Sequence, residues 1–518
     1  MIGRPLNSSA RKTLNLLATG AHSISNRILT TRQMAQSDRY TAEVGVFSGT
    51  QLMARAGAAV VDVLLSDFID ANRFVVLAGP GNNGGDGYVV AELLRQKGLW
   101  PLLFAFGEPK EGTDSHWAKT QCGVNAEDLG LYDPRSHDVV VDALFGAGGR
   151  PALPTVVKSC LEQVCKVGAR VVAVDVPSGM DADTGAGGVC PAHTTVTFHA
   201  LKPGLISAEG LEKCGEIHVA DIGIRTAPHE TGELLLYRNS PDVWASKLPQ
   251  PRAVDHKYSR GHVAVYSGSV STCGAARLSA MAAQAAGAGA VTLLCPDQQT
   301  IHVHAGSSAS IMTRIADDGG LKNLQRCNSC VMGPGFGSDH ALLRNSVIDL
   351  ITSWDETDLN TLVLDADVFT AFADTPDHLF EAIRNAEGLS VVLTPHAGEF
   401  ARIFPDLGKD LTNEPKWKLT QAAAARSGAT IVFKGSDTVI ADPADPKIVI
   451  NAGATARLAM AGSGDVLAGL IAGLAAQGMS AKNAACAAVW LHANAADRDQ
   501  QALTPERLIE ALRSRAHG

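Results

Sequence analysis

FVVLAGPGNNGGDGYVVAELLRQKG, residues 74–98, decides how the first half of the chain folds. Phe74–Ala78 is a short apolar, partly β-branched run, the pattern of a strand buried on both faces of a parallel sheet. Five glycines between Gly79 and Gly87 permit positive φ and let a ligand reach the bare backbone. Val89, Val90, Leu93 and Leu94 then recur at helical spacing, and Gly98 stands at a C-cap position. Strand, glycine loop and helix in succession bring free N–H groups and a helix dipole to one point, a ready phosphate site. Gly79, Gly81 and Gly84 fit the spacing G-x-G-x-x-G, with Glu108 about where a ribose-binding acid falls, but alone that match is weak. Asn82-Asn83 and Asp86 argue against an ordinary dinucleotide redox site. A carboxylate there repels pyrophosphate unless a cation or a hydroxyl-bearing ligand uses it. Asp86 can equally be a helix cap.

Working outward, Met53, Ala56, Val60, Val63 and Leu64 share one face of a preceding helix. Pro101–Phe106 supplies a second strand, and His137–Phe145 a third that carries Asp142 near its C-terminal end. A loop, Gly146–Ala152, leads into a helix over Leu153–Val167, and the strand Arg170–Val176 ends in Pro177-Ser178-Gly179-Met180-Asp181. Alternating strands and helices predict a parallel sheet, whose ligands gather at the strand C-terminal ends. On that geometry Asn83, Asp142, Asp175 and Ser178 converge at one edge. Each acid alone also reads as a strand-end turn or cap; three loops placing polar groups at one edge mean more.

At 518 residues, with 46% hydrophobic and 19% charged residues, the chain is long enough for two to four globular domains. A formal charge of −9 and the lack of a basic stripe argue against nucleic-acid binding. The longest apolar run, Val466–Ala476, is too short for a membrane span and reads as a core helix. Ten scattered cysteines, mostly inside apolar segments, fit buried thiols in a reducing compartment, and the single C-x-x-C of Cys327 and Cys330 is weak support for zinc or redox chemistry. Residues 1–37 lack Asp and Glu but hold sparse Arg and Lys, compatible with a mitochondrial transit peptide over 1–27. A cytoplasmic protein with an N-terminal extension is the favoured expectation.

Prolines 228, 241, 249 and 251 break the alternation, and a second α/β pattern begins at His256. It holds GHVAVYSG (261–268), VMGPGFG (331–337), TLVLDAD (361–367), VVLTPHAGEF (391–400), TIVFKGSDTVI (430–440) and AGSGDVLAGLIAGLAAQG (461–478). In the last, Gly462-Ser463-Gly464 offers N–H groups as an anion hole. Asp465, at a helix start, can take a proton from an attacking hydroxyl or simply cap the helix.

GPGNNGGDG, VVDALFGAG, VDVPSGMDADTG, TVTFHALKPG and EIHVADIG, in this order, resemble the NAD(P)HX epimerase family over residues 28–225. That resemblance implies interconversion of the two C6 epimers of hydrated NADH or NADPH. It assigns the hydrated dinucleotide to Asn82, Asn83, Gly84, Gly85, Asp86, Gly146, Ala147, Gly148, Gly149, Arg150, Pro151 and Ala152, with Asp175 as contact and catalytic group. It assigns a potassium ion to Asn83, Asp142 and Ser178, and amide, carboxylate and hydroxyl oxygens do suit a hard cation. Gly-Ser-Gly-Asp, Lys434-Gly435-Ser436-Asp437-Thr438 and TPHAGE are similar to the ribokinase-like superfamily, specifically its ADP- or ATP-dependent NAD(P)HX dehydratase branch, over 245–515. This implies phosphorylation of the C6 hydroxyl of the S epimer and loss of phosphate, with Asp465 as general base. Lys434, Gly435, Ser436, Asp437, Thr438 and Gly464 then bind the nucleotide, and Ala275, Gly335, His396 and Asp465 the hydrate; His396 otherwise reads as a packed loop histidine. Magnesium is expected on general grounds. Thr455-Ala456-Arg457 and Met460 depart from the family's Asn-Pro-Gly turn and threonine, so Arg457 either replaces backbone donors or faces solvent.

The expected architecture is therefore α/β throughout: an extension (1–27), a Rossmann-like three-layer α/β/α epimerase domain (28–240) and a ribokinase-like dehydratase domain (241–518). A homo-oligomer is expected, with neither nucleic acid nor membrane as partner. The enzyme alternative is a vitamin kinase for a hydroxymethylpyrimidine, thiazole or pyridoxal-type alcohol, carrying an N-terminal nucleotide-binding module. The non-enzymatic alternative is an N-terminal half that binds without catalysing.

Overall fold

The computed structural model describes residues 26–148, 152–229, 232–316, 324–498 and 501–514. The expected extension therefore lies almost wholly outside the described residues, as do Gly149, Arg150 and Pro151. The chain divides into two compact units, Met1–Thr231 and Gly232–Gly518.

In the first unit, helices α1 (Thr31–Glu43) and α2 (Gly49–Asp67) precede β1 (Phe74–Ala78), α3 (Asn82–Gln96), β2 (Leu102–Ala105), α4 (Asp114–Gln121), β3 (Ala126–Asp128) and β4 (Val139–Ala143). Helix α5 (Thr155–Val167), β5 (Arg170–Val174), β6 (Thr194–Phe198) and β7 (Glu216–Ala220) follow. The seven strands form a parallel sheet in the order β3-β2-β1-β4-β5-β6-β7. Alternation of side chains sends Val76 and Ala78 into one core with α2 and α3, and Val75 and Leu77 into another with α5, giving three layers. The order reverses between β1 and β4. The glycine loop and Asp142 therefore flank the crevice where ligands of such sheets bind.

The loop is as tight as its composition requires. A Cβ at Gly84 would stand 1.8 Å from the Gly79 carbonyl oxygen, an impossible approach. Gly84→Ala should therefore cost at least about 1–3 kcal/mol and lower the melting temperature, which thermal denaturation checks; an unchanged Tm would show that the loop is loose.

The second unit opens with β8 (Leu235–Arg238), then β9 (His262–Tyr266), α6 (Gly274–Ala285), β10 (Ala290–Cys295), β11 (Met312–Ile315), β12 (Ser329–Met332), β13 (Thr361–Leu364) and β14 (Ser390–Leu393). It continues with α7 (Ala397–Ile403), β15 (Thr430–Phe433), β16 (Thr438–Asp442), β17 (Asp445–Asn451), α8 (Ser463–Ala476) and α9 (Ala481–Arg498). Its strand order is β8-β17-β16-β15-β14-β13-β12-β9-β10-β11, parallel except for the pairs β15/β16 and β16/β17. Since Leu235–Arg238 pairs with β17, the division between units falls ahead of the expected 240/241. Helix α8 is the buried core helix expected from its apolar run; a Cβ at Gly469 would meet the Ser279 carbonyl oxygen at 2.0 Å, so α6 and α8 touch backbone to side. No described helix is long and apolar enough to cross a membrane. Cys327 and Cys330 are buried thiols with no disulfide between them, and burial pushes up their pKa (Cys327 to about 12), which disfavours the reactive thiolate.

Candidate functional site

In the first unit, Gly81 is the N-cap of α3 and Asn82–Asp86 form its first turns. Asp86 therefore does not cap the helix. It is buried, and burial, then the charges of Asp175 and Asp38, push its carboxyl well above the usual range. That shift favours the neutral form and so weakens the repulsion of a pyrophosphate. Glu108 is exposed and ion-paired with Lys119.

Asp142 is 1% exposed; it accepts from the Ser178 hydroxyl at 2.6 Å and the Ser178 N–H at 2.9 Å. Burial raises its pKa despite these bonds. The Ser178 hydroxyl oxygen also accepts from the Phe145 N–H at 3.0 Å. The Asn83 amide, oriented to satisfy both ends, donates to the Val174 carbonyl and accepts from the Gly146 N–H. Asn83, Asp142 and Ser178 thus converge on the Phe145–Gly146 turn. A buried carboxylate with only neutral hydrogen-bond donors, beside amide and hydroxyl oxygens, fits a monovalent hard cation.

Asp175 follows β5 in the left-handed region at φ 67°, a conformation Asp tolerates but does not prefer. Its carboxylate accepts from Ala147 N–H at 3.0 Å, Thr197 hydroxyl at 3.0 Å and Lys202 Nζ at 2.7 Å. Burial alone would raise its pKa; the Lys202 ammonium and the hydrogen bonds outweigh it and hold the group below its ordinary value. Lys202 is itself 2% exposed and also donates to Thr197 and the Phe198 carbonyl. Beside it, burial, then the Lys202 charge, lower His199 to about 4, so that imidazole is neutral. A cleft of about 420 Å³ lined by Thr31, Arg32, Ala147, Gly148 and Met180–Asp183 adjoins the same loop.

In the second unit the acids gather at the strand C-terminal ends. Gly462, at φ 88°, is the N-cap of α8, so Asp465 is not the cap; it lies in the first turn. Burial, then the nearby Asp365, raise the Asp465 carboxyl to about 6, partly opposed by Lys434. Lys434 Nζ donates to Asp365 at 2.8 Å and lies 3.8 Å from Glu399. Asp365 also accepts from the Thr394 hydroxyl at 2.7 Å, and the next residue, Ala366, is held at φ 51°. A non-glycine residue at positive φ thus lies at or beside a clustered carboxylate in both units.

The Lys434 side chain thus turns toward Asp365 and Asp465, while its loop is closed by Gly435 N–H to Thr438 Oγ1 at 3.2 Å and by Lys416 to Asp437 at 2.7 Å. Ser436 accepts at its carbonyl from the Ala454 N–H, which brings the stretch before Arg457 against this loop. Arg457 is half-buried and donates to the Ala496 carbonyl at 3.0 Å and to the Gln501 carbonyl. Ala275 lies against Gly335, whose φ of 61° favours glycine, and Gly464 lies beside Lys434 and Asp365. His396 is an exposed N-cap rather than a packed loop residue. Its Nδ1 accepts from Gly398 and Glu399 N–H, leaving Nε2 3.4 Å from Glu399.

Lys202, Asp38, Asp365, Glu399 and Lys416 were not among the residues expected from sequence. For Lys202 a signal existed, a lysine inside an apolar strand-turn, since buried lysines are almost always paired. Asp365 obeys the same strand-end rule that singled out Asp142 and Asp175.

Two family models match the chain, the YjeF-related protein N-terminus over residues 49–204 and NAD(P)H-hydrate dehydratase over residues 263–513. The bifunctional NAD(P)H-hydrate repair enzyme of Escherichia coli (strain K12) is 32% identical over 470 residues, covering 89% of this chain and 87% of the relative. That of Moorella thermoacetica is 32% identical over 526 residues, covering 94% and 96%. A solved structure, the ADP/ATP-dependent NAD(P)H-hydrate dehydratase from Bacillus subtilis, is 23% identical with a TM-score of 0.44, covering 53% of this chain and 95% of that one.

Proposed function

Since the chain belongs to the family of bifunctional NAD(P)H-hydrate repair enzymes, with an epimerase and a dehydratase on one polypeptide, we propose how its residues divide that work. The vitamin-kinase alternative is not favoured, because it leaves the match over residues 49–204 without a role.

Carbon C6 of the hydrate carries both a hydroxyl and the ring nitrogen N1. Inverting it requires breaking C6–O or C6–N1 and reforming it from the other face, and either route moves a proton on or off the oxygen. An ionised Asp175 beside the Lys202 ammonium supplies a base and an acid within one hydrogen bond of each other. Asn82–Asp86 and Gly146–Ala152 hold the dinucleotide around them. Asn83, Asp142 and Ser178 would hold potassium, whose charge would offset the acids near the pyrophosphate.

In the second unit the S hydrate lies against Ala275, Gly335 and His396, and ADP or ATP against Lys434–Thr438 and Gly464. Asp465 takes the C6 hydroxyl proton as that oxygen attacks the terminal phosphorus, and the nucleotide leaves one phosphoryl shorter. The C6–O bond of the phosphoester then breaks, N1 donates its electron pair, C5 loses a proton, and the C5=C6 bond of NAD(P)H is restored with free phosphate. Magnesium bound with the nucleotide would offset phosphoryl charge. A homo-oligomer and a cytoplasmic location belong to the same proposal, checked by light scattering and by imaging a C-terminally tagged chain.

The observation that carries the residue assignment is the place of Asp465, in the first turn of a helix beside Asp365 and the half-buried Lys434, where its carboxyl is pushed up to about 6. A general base works ionised, so protonation below that value removes it. The kcat/KM for S-hydrate dehydration should fall about tenfold per pH unit below about pH 6 and level off above it. A pH–rate profile checks this; a flat profile down to about pH 5 would remove Asp465 from the role.

A further inference from the structure

We infer that the first unit carries a second cation site, for a borderline first-row divalent metal such as Zn²⁺, built from His218, Glu216 and Asp67. Glu216 and His218 are two apart on β7, so strand alternation puts both on one sheet face. That face packs against α2: Ala220, the next residue in the series, shares a core with Val63 and Leu64. Helix α2 ends there at Asp67. The three side chains bring one ligand atom each to within 4.8 Å of one another.

His218 is 3% exposed and neither ring nitrogen has a hydrogen-bond partner among the described residues, an expensive arrangement for a buried imidazole. Its Nε2 points at the carboxylates, 3.3 Å from Asp67 Oδ2 and 3.7 Å from Glu216 Oε1. Those contacts do not form hydrogen bonds, yet they match the edge of a metal tetrahedron, about 3.4 Å for bonds of about 2.1 Å. The other Asp67 oxygen accepts from the Ser66 hydroxyl, which orients the carboxylate with Oδ2 toward His218. Two carboxylates and a neutral imidazole balance a divalent charge, and partial exposure of both acids leaves room for water as fourth ligand.

A buried imidazole ligand selects Zn²⁺, Co²⁺ or Ni²⁺ over Mg²⁺ and Ca²⁺. Glu216 opens β7, so the site lies at the N-terminal ends of the parallel strands, opposite the crevice that takes substrate. The metal fastens the end of α2 to an edge strand and takes no part in either reaction.

The test uses the full chain, stripped with a chelator and kept in potassium chloride. Zn²⁺ is titrated calorimetrically and Co²⁺ by visible absorption, on wild type, Asp67→Asn and His218→Gln. Asp67 sits at an exposed helix end, so Asp67→Asn remains informative if His218→Gln fails to fold. The expected result is one ion per chain, a cobalt spectrum without thiolate charge transfer, no displacement by millimolar Mg²⁺, and affinity lower by about tenfold or more in Asp67→Asn. No binding, equal binding by wild type and Asp67→Asn, or a cobalt spectrum dominated by thiolate absorption would each overturn the site.

Discussion

Replacing Asp465 with Asn is expected to slow recovery of reduced nicotinamide from the S hydrate by about 10²–10⁴-fold, while R and S hydrates continue to interconvert at the wild-type rate. The substitution keeps shape and removes only the proton acceptor. It also removes a charge that the fold tolerates poorly. Burial and Asp365 raise the Asp465 pKa to about 6, so between its unfolded value and 6 the folded chain binds more protons than the unfolded one. Stability therefore falls as pH rises through that window, and the full penalty, on the order of 2–3 kcal/mol, applies above it. Asp465→Asn should accordingly melt higher than wild type near pH 8 while being nearly inactive, the trade-off expected of a strained catalytic acid. The measurement follows absorbance recovery from a mixed-epimer preparation with Mg²⁺, K⁺ and either ADP or ATP. Full activity in the Asn variant would sink the role, and lost activity with a lower Tm would make Asp465 structural instead.

The second large effect is expected at Lys202, in the other unit. Lys202→Met fills much of the same volume but strips the Asp175 carboxylate of its counterion. Burial is the largest influence on Asp175 and acts to raise its pKa. Without the ammonium, burial prevails and pushes the carboxyl toward its acid form, and epimer interconversion should fall by about 10²-fold or more. Breaking a buried pair from one side also costs about 3–5 kcal/mol. Asp175→Asn gives the complementary result: it breaks the same buried pair from the other side, but leaves the backbone undisturbed, because Asn accepts the left-handed φ of 67° as readily as Asp. Both variants should consume the S hydrate normally and stall with the R hydrate left over. Wild-type interconversion in either would place the epimerase chemistry elsewhere; R hydrate that no longer binds would make the pair a binding device and not an acid–base one.

Much of this was legible in the linear sequence because it is local. A strand, a glycine loop and a helix follow from hydrophobic period and glycine placement within residues 74–98, and alternation of such units predicts a parallel sheet with its chemistry at the strand C-terminal ends. Asp142, Asp175 and Asp465 announce themselves there as acids at the ends of apolar strands or the start of an apolar helix. Their protonation behaviour was not legible, since it depends on what packs around them. Asp465 as a helix cap and Asp465 as a carboxyl raised to about 6 share one sequence; Gly462 taking the cap and Asp365 arriving from β13 separate them.

The same limit explains the residues that sequence passed over. Lys202 lies 27 positions from Asp175, and Lys434 lies 69 from Asp365, so no local pattern joins either pair. Arg457, which the sequence leaves as either a substitute donor or a solvent-facing residue, places its guanidinium on the Ala496 and Gln501 carbonyls. The sequence by itself determined the order of elements, the two α/β patterns and the loops that carry chemistry, since short-range sterics and hydrophobic period set these. Only the tertiary structure decided which charges meet in low dielectric, and that proximity separates a capping acid from a catalytic one.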